Sequence, residues 1–162
     1  IVTPGTKVPE GWTIAAVALP WFAILSEIEK DPAFLFKFAR HARKFEEFLA
    51  GAYEREGYEV ILTPQRNDQG RDVIATKRGF GSIRILDQAK AYSPGHLVTH
   101  DDVRGMLGVL STNQNASKGI ITTTSDFQPG VLSGAEFKPF LPFRLDLKNG
   151  DQLREWLSQL RR

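Results

Sequence analysis

An α/β fold with a central mixed sheet flanked by helices is what this sequence predicts, on three observations. Segments of helical periodicity alternate with Val- and Ile-rich runs in the order helix, three strands, helix, strand, and then one more strand and helix. The 162 residues, 41% of them hydrophobic and three of them tryptophan, suffice for one domain with a substantial core and are short for two. No internal repeat or low-complexity tract interrupts the chain, which argues against a solenoid or a linker-joined array. Helices on both faces of a sheet form one of the few layer arrangements that bury the apolar sides of both. The expected division is an N-terminal preamble over residues 1–34, packed on the core, and a main domain over residues 35–162.

Taken in order, residues 1–12 hold Pro4, Gly5, Pro9 and Gly11, which favour turns over regular structure. The apolar run Thr13 to Leu25 is expected to pack on the core as a short helix or an extended strip; interrupted by Pro20, it is shorter than the roughly 18 to 20 apolar residues that span a bilayer. Asp31-Pro32 is a helix start, because the aspartate can cap free amides and proline at the first position leaves none unpaired. The helical stretch, in one or two segments, runs to about Glu56, with Phe38, Phe45, Leu49 and Ala52 on one stripe and Gly57 as the stop. At about 100° per residue, Glu46 falls roughly 80° from the centre of that stripe and edges the interior, whereas Glu47 points to solvent.

Three strands follow, Tyr58–Leu62, Asp72–Thr76 and Ser82–Gln88 or slightly beyond, joined by the turns 67–70 and 77–81 into an antiparallel meander. Asp101 or Asp102 caps a second helix carrying Val103, Met106, Leu107 and Leu110 at helical spacing. Gly119–Thr124 is a buried strand. A short strand at Phe143–Leu147 and a helix near Asp151–Leu160 complete the chain.

A net charge of +2 and a pI near 9.0 are compatible with a nucleic-acid partner but fall short of a densely basic binder. The absence of cysteine excludes disulfides, thiolate chemistry and Cys-ligated zinc or iron–sulfur sites, and suits the cytoplasm. Neither a membrane span nor a signal peptide is expected. A start at Ile1 is what a piece of a longer protein would show.

The chemistry-bearing residues converge across one hairpin. Asp72 starts one strand, and Gln88 with Lys90 ends the next, so the turn between them brings the two ends together. Residues two apart on a strand share a face, which groups Gln88 with Lys90 and sends Asp87 to the other side. With Glu46 on the nearby helix edge, the group offers two carboxylates and an amide oxygen to a hard divalent cation, beside an ammonium. That is a complete inventory for metal-assisted phosphodiester hydrolysis.

The stretches KFEEFLAGAYEREGYEV, TPQRNDQGRDVIA, DQAKAY, DDVRGMLGVL and SKGIITTTSDF, over roughly residues 44 to 128, resemble the Mrr-type branch of the PD-(D/E)xK nuclease superfamily. The resemblance implies a restriction-endonuclease-like αβββαβ core and a Mg²⁺-dependent DNA endonuclease in which Mn²⁺ can substitute. It assigns the helix glutamate to Glu46, the metal-binding aspartate to Asp72 and the Q-x-K motif to Gln88 and Lys90, with the Ala89 carbonyl completing the metal shell. Lys90 would position the attacking water or stabilise transition-state charge. Gln88 stands where the wider superfamily carries a second acid, and an amide oxygen is the weaker ligand.

Each residue also has a plainer reading: Asp72 as turn chemistry, Gln88 and Lys90 as a solvated strand face, Glu46 as a surface acid. Their joint order and spacing favour the site. Asp68 is equally a turn residue, the run Thr122 to Ser125 a strand-end turn, and His41, His96 and His100 surface or capping residues. Gly70, Gly79 and Gly81 make no phosphate loop. Arg71, Lys77, Arg78, Arg84 and Lys118 are expected to flank the cleft as phosphate contacts. Double-stranded DNA is the expected partner, and a homodimer is expected because two strands need two sites. The alternatives are a DNA-binding or recruiting module with a degenerate site, or a nuclease for branched DNA or RNA.

Overall fold

One seven-stranded sheet organises the chain, with its strands side by side in sequence order. The structure is a computed structural model that describes residues 2–16, 18–64 and 70–161. Strands β1 (Val2–Val8) and β2 (Gly11–Ala16) form a hairpin that joins β3 (Glu59–Leu62), followed by β4 (Val73–Lys77) and β5 (Ile83–Lys90), all antiparallel. The hand of pairing then changes: β6 (Lys118–Thr123) runs parallel to β5, and β7 (Leu145–Lys148) parallel to β6. The reason is the connections. Short turns reverse the chain in the meander, whereas helix α3 (His100–Thr112) carries it back over the sheet between β5 and β6.

Helices α1 (Ala18–Lys30), α2 (Ala42–Arg55) and α4 (Gly150–Gln159) cover one face, where Trp21, Phe45, Phe48, Leu49 and Leu157 pack with Val73, Ala75 and Ile85. On the other face Val103, Met106 and Leu110 of α3 meet Ile74, Leu86 and Ile121. The alternation of Val73, Ile74 and Ala75 between the two cores is the period-two pattern of a strand buried on both sides. Gly119 lets α3 sit this close to β6, since a Cβ there would lie 2.8 Å from the Met106 sulfur.

The N-terminus corrects the expectation of turns over residues 1–12. Only Pro9 and Glu10 make the turn, and Pro4 sits in the edge strand β1, where a missing amide costs least. The following apolar run is part strand and part helix. The helical stretch from Asp31 resolves into a 3-10 segment (Pro32–Arg40), capped by Asp31 Oδ1 on the Ala33 amide at 3.1 Å, and then α2. Phe38 therefore belongs to a different segment from Phe45, though their rings meet at 5.3 Å. The cap of α3 is Thr99, with Asp102 closing the capping box as its third helical residue. Strand β7 begins at Leu145, and Phe143 stays exposed. Among the described residues no helix is long and apolar enough to cross a membrane.

Trp21 ties the N-terminal region to the core. It is fully buried, stacks on Phe48 with centroids 5.1 Å apart, and donates its indole N–H to the Phe48 carbonyl at 3.1 Å. Trp21→Ala should cost roughly 3 to 5 kcal/mol in urea unfolding, by lost burial plus a cavity. A loss below about 1 kcal/mol, the range of surface substitutions, would mean that α1 is not part of the cooperative unit.

Candidate active site

Strand register decides which side chains meet. Val73 stands opposite Asp87, so Asp72, just before β4, arrives beside the end of β5. Its amide donates to the Asp87 carbonyl at 2.8 Å, and its Oδ2 accepts the Ala89 amide at 2.7 Å. The carboxylate thus pairs with a β5 amide beyond the start of β4, and Asp72 is buried in doing so. Lys90 reaches α3, with Nζ 3.9 Å from Asp102 Oδ1. Gln88, two residues earlier, shares that side by strand alternation. The three candidates gather at the carboxyl ends of the parallel strands β5 and β6, the end at which open α/β sheets bind ligands.

Glu46 approaches from α2. Its carboxylate lies 3.5 Å from Arg43 Nη1, which also donates to the Thr63 carbonyl at 2.7 Å. The Thr63 hydroxyl in turn donates to the Asp72 carbonyl at 3.0 Å. Glu46 is therefore linked to the Asp72 strand end through Arg43 and Thr63. Glu47, expected in solvent, is half-buried. The expectation for Asp68 falls outside the described residues.

The donor chemistry fits a hard divalent cation: carboxylates at Asp72 and Glu46, the Gln88 amide oxygen and the Ala89 carbonyl are all oxygens. Among the described residues no three His, Asp or Glu side chains cluster to hold a metal. The set therefore depends on its amide and carbonyl members.

Four of the five expected phosphate contacts do not flank this cleft, and the register shows why. Arg84 pairs with Thr76, and Ile85 with Lys118, so Lys77, Arg78, Arg84 and Lys118 cluster at the far end of the sheet. Arg84 and Lys90 are six residues apart on β5, roughly 20 Å at about 3.3 Å per residue. Three of these cations face acids: Arg84 with Glu10 at 3.2 Å, Arg78 with Glu59 at 3.4 Å and Lys118 with Asp146 at 3.6 Å. Arg71 alone adjoins the site, and its guanidinium bonds the Asn113 side chain.

Sequence reasoning missed the supports. Asp102 as partner of Lys90 carried a signal, the Thr99-x-x-Asp102 capping box, and Arg43 carried one at i−3 from Glu46. The bonds around Asp87 had none. Asp87 turns to the α2 side, where Tyr53 donates to its Oδ2 at 2.6 Å and Thr122 at 2.9 Å. The remaining strand-end hydroxyls are structural: Thr123 donates to the Lys90 carbonyl, Thr124 to that of Tyr92 and Ser125 to that of His96. His96 stacks on Tyr92, His100 contacts Gln128, and His41 is exposed.

An antiparallel meander that turns parallel at β5, with an aspartate before β4 and Gln-x-Lys ending β5, defines a restriction-endonuclease-type α/β domain. The chain belongs to the restriction endonuclease family Mrr_cat, whose profile matches residues 39–157. Its fold is similar to that of the MspJI restriction endonuclease, solved in complex with a 27-mer oligonucleotide (TM-score 0.56, 19% identity, 88% of this chain and 32% of that one). It is also similar to the DNA modification-dependent restriction endonuclease AspBHI (TM-score 0.56, 15% identity, 97% and 38%). The chain thus spans about a third of the length of either structure. No curated protein sequence matches it.

Burial pushes the Asp87 carboxyl up to about 6, against the opposing bonds from Tyr53 and Thr122 and the charge of Lys148. Its Oδ1 is buried with no hydrogen-bond partner, so ionisation leaves charge on an unsolvated atom. Burial, and then the neighbouring Asp87, likewise raise the Tyr53 hydroxyl well above its usual value. For Asp87 the folded state holds the proton more tightly than the unfolded chain, so stability falls as pH rises from about 4 to 6 and stays reduced above that. At about 1.4 kcal/mol per pKa unit the effect is roughly 3 kcal/mol. Asp87→Asn should lack this contribution: in urea unfolding the wild type should lose stability relative to the variant as pH climbs through the window. A constant gap from pH 4 to 7 would contradict the assignment.

Proposed function

We propose that this chain is the catalytic domain of a metal-dependent DNA endonuclease acting in the cytoplasm, in restriction of or defence against foreign or modified DNA. The observation that carries the reading is the junction at the end of β5, where Asp72 binds the Ala89 amide and Lys90 stands on the same side, in a chain of the restriction endonuclease family. A 27-mer oligonucleotide bound to one structural neighbour and the modification dependence of the other favour DNA as substrate.

Asp72, Gln88, the Ala89 carbonyl and Glu46 would hold Mg²⁺ or Mn²⁺, which supplies Lewis acidity and an activated water when bound. The chain's own contributions are positional and electrostatic. Asp72 is fixed by the Ala89 amide, so its carboxylate does not have to reorganise on binding. Lys90 would place an ammonium where negative charge grows on the phosphate, and Asp102 lies 3.9 Å from that ammonium. Cutting both strands needs two such sites, hence a homodimer.

Supercoiled-plasmid nicking tests the reading. Asp72→Ala and Lys90→Ala should each reduce Mg²⁺-dependent nicking by roughly 100-fold or more, and EDTA should abolish it in the wild type. Equal rates in all three proteins would remove these residues from the site. Gln88, an amide where an acid is usual, favours a second reading as a DNA-binding module without turnover. Duplex binding with no metal-dependent cleavage of duplex, branched DNA or RNA would establish it.

A further inference from the structure

Two groups of cations stand out in this chain. Arg78, Arg84 and Lys118 at the far end of the sheet, and Arg104 and Arg161 on the outer helices, face acids, while Lys77 bonds the Glu56 carbonyl and lies over the Tyr58 ring. A second population is concentrated at the junction of the 3-10 segment with α2. Lys37, Arg40, His41 and Lys44 are all exposed there, and none has an ion-pair partner among the described residues. Residues 32–45 contain no Asp or Glu. The Lys37 ammonium has only the Phe34 ring, 4.9 Å from its centroid.

This stretch faces the chain just beyond Lys90. Lys37, Arg40 and His41 line an open groove of about 800 Å³ whose opposite wall is Ser93, three residues after Lys90. Lys44 lines an adjoining recess together with Lys37 and His41. His41 at the start of α2 supplies no side-chain cap, so the partial positive charge of that helix end adds to the same surface. A paired cation must give up its acid before it can take a phosphate, whereas an exposed, unpaired one only releases counterions.

We infer that the groove between the 3-10/α2 junction and the Ser93 loop binds the phosphate backbone of duplex DNA, with Lys37 and Arg40 in the groove and Lys44 in the adjoining recess as its contacts. The groove leads the strand toward the candidate site, a direction that rests on the nuclease reading; the charge distribution does not. The surface lies at the opposite end of the sheet from Lys77, Arg78, Arg84 and Lys118, four of the residues from which the sequence alone predicts phosphate contacts at the cleft.

Fluorescence anisotropy of a labelled duplex in EDTA, over a series of salt concentrations, tests the inference. The triple variant Lys37→Ala/Arg40→Ala/Lys44→Ala should bind on the order of 100-fold more weakly near physiological salt, with the log–log salt slope flattened by about 2 to 3. The variant Lys77→Ala/Arg78→Ala/Lys118→Ala should keep the wild-type slope. The three truncated side chains of the first variant are exposed and unpaired, so an unchanged circular dichroism spectrum is expected. The reverse pattern, equal losses in both variants, tighter binding of a matched RNA duplex, or no duplex binding by the wild type would each overturn it. Plasmid nicking separates the two readings. Wild type that binds as expected but never nicks leaves the surface standing and removes the nuclease, while wild type that nicks and a first variant that binds as tightly do the opposite.

Discussion

The hydrogen bond from the Ala89 amide to Asp72 Oδ2 is the contact on which the geometry of the candidate site depends. Strand β5 continues beyond the residues that β4 pairs, and its amide at Ala89 needs an acceptor there. Asp72 supplies one from a side chain while its own amide is bound by the Asp87 carbonyl. A charge-assisted bond of 2.7 Å is among the stronger kinds. It fixes the carboxylate to the strand that carries Gln88 and Lys90, so these groups move as one body. Loss of the carboxyl would release the amide as well as remove a donor for metal.

The opposite side of β5 imposes a second constraint. Tyr53, one residue of the α2 stripe, and Thr122 of β6 both donate to Asp87, so helix and two strands meet at a single buried oxygen. Tyr53 lies seven residues after Glu46, two helical turns on nearly the same face. Asp87 directly precedes Gln88. The bond therefore sets how far α2 slides along β5, and with it the height of Glu46 against the Gln-x-Lys end. A wholly apolar contact here could pack as tightly but would leave that height less defined, since dispersion is non-directional. The unpaired Oδ1 is the energetic cost of using a carboxyl for this purpose.

What the sequence made legible followed from periodicity and turn chemistry. Asp31-Pro32, Gly57, the meander of three strands and the face shared by Gln88 and Lys90 are local features, each readable within a few residues. The β1–β2 hairpin was not readable in this way, because its proline and glycines signal turns while its strand character comes from pairing with β3. Lys77 and Arg84 lie away from the expected cleft for a related reason. They are near Asp72 and Gln88 in sequence, but a strand converts separation along the chain into distance along one axis, and the hairpin turn lies at the wrong end. The basic residues 37–44 were read as helix and not as charge. Only the fold reveals that Lys37, Arg40, His41 and Lys44 are exposed without ion pairs among the described residues and that Ser93 stands across from them.

Charge also gives a physical account of glutamine at position 88. A third carboxylate beside Asp72 and Glu46 would bind a cation more tightly, but it would also repel the phosphate that must approach the same point. An amide would offer a metal an oxygen without adding to that repulsion, and Lys90 and Asp102 form a nearly neutral pair nearby. Weaker ligation is tolerable where the substrate's own phosphate oxygen completes the coordination shell, because Mg²⁺ commonly binds through one or two carboxylates plus substrate phosphates. On this reading metal and DNA bind in concert. The unpaired cations of the α2 junction would then serve the proposed metal site indirectly, by holding the strand whose phosphate becomes its remaining ligand.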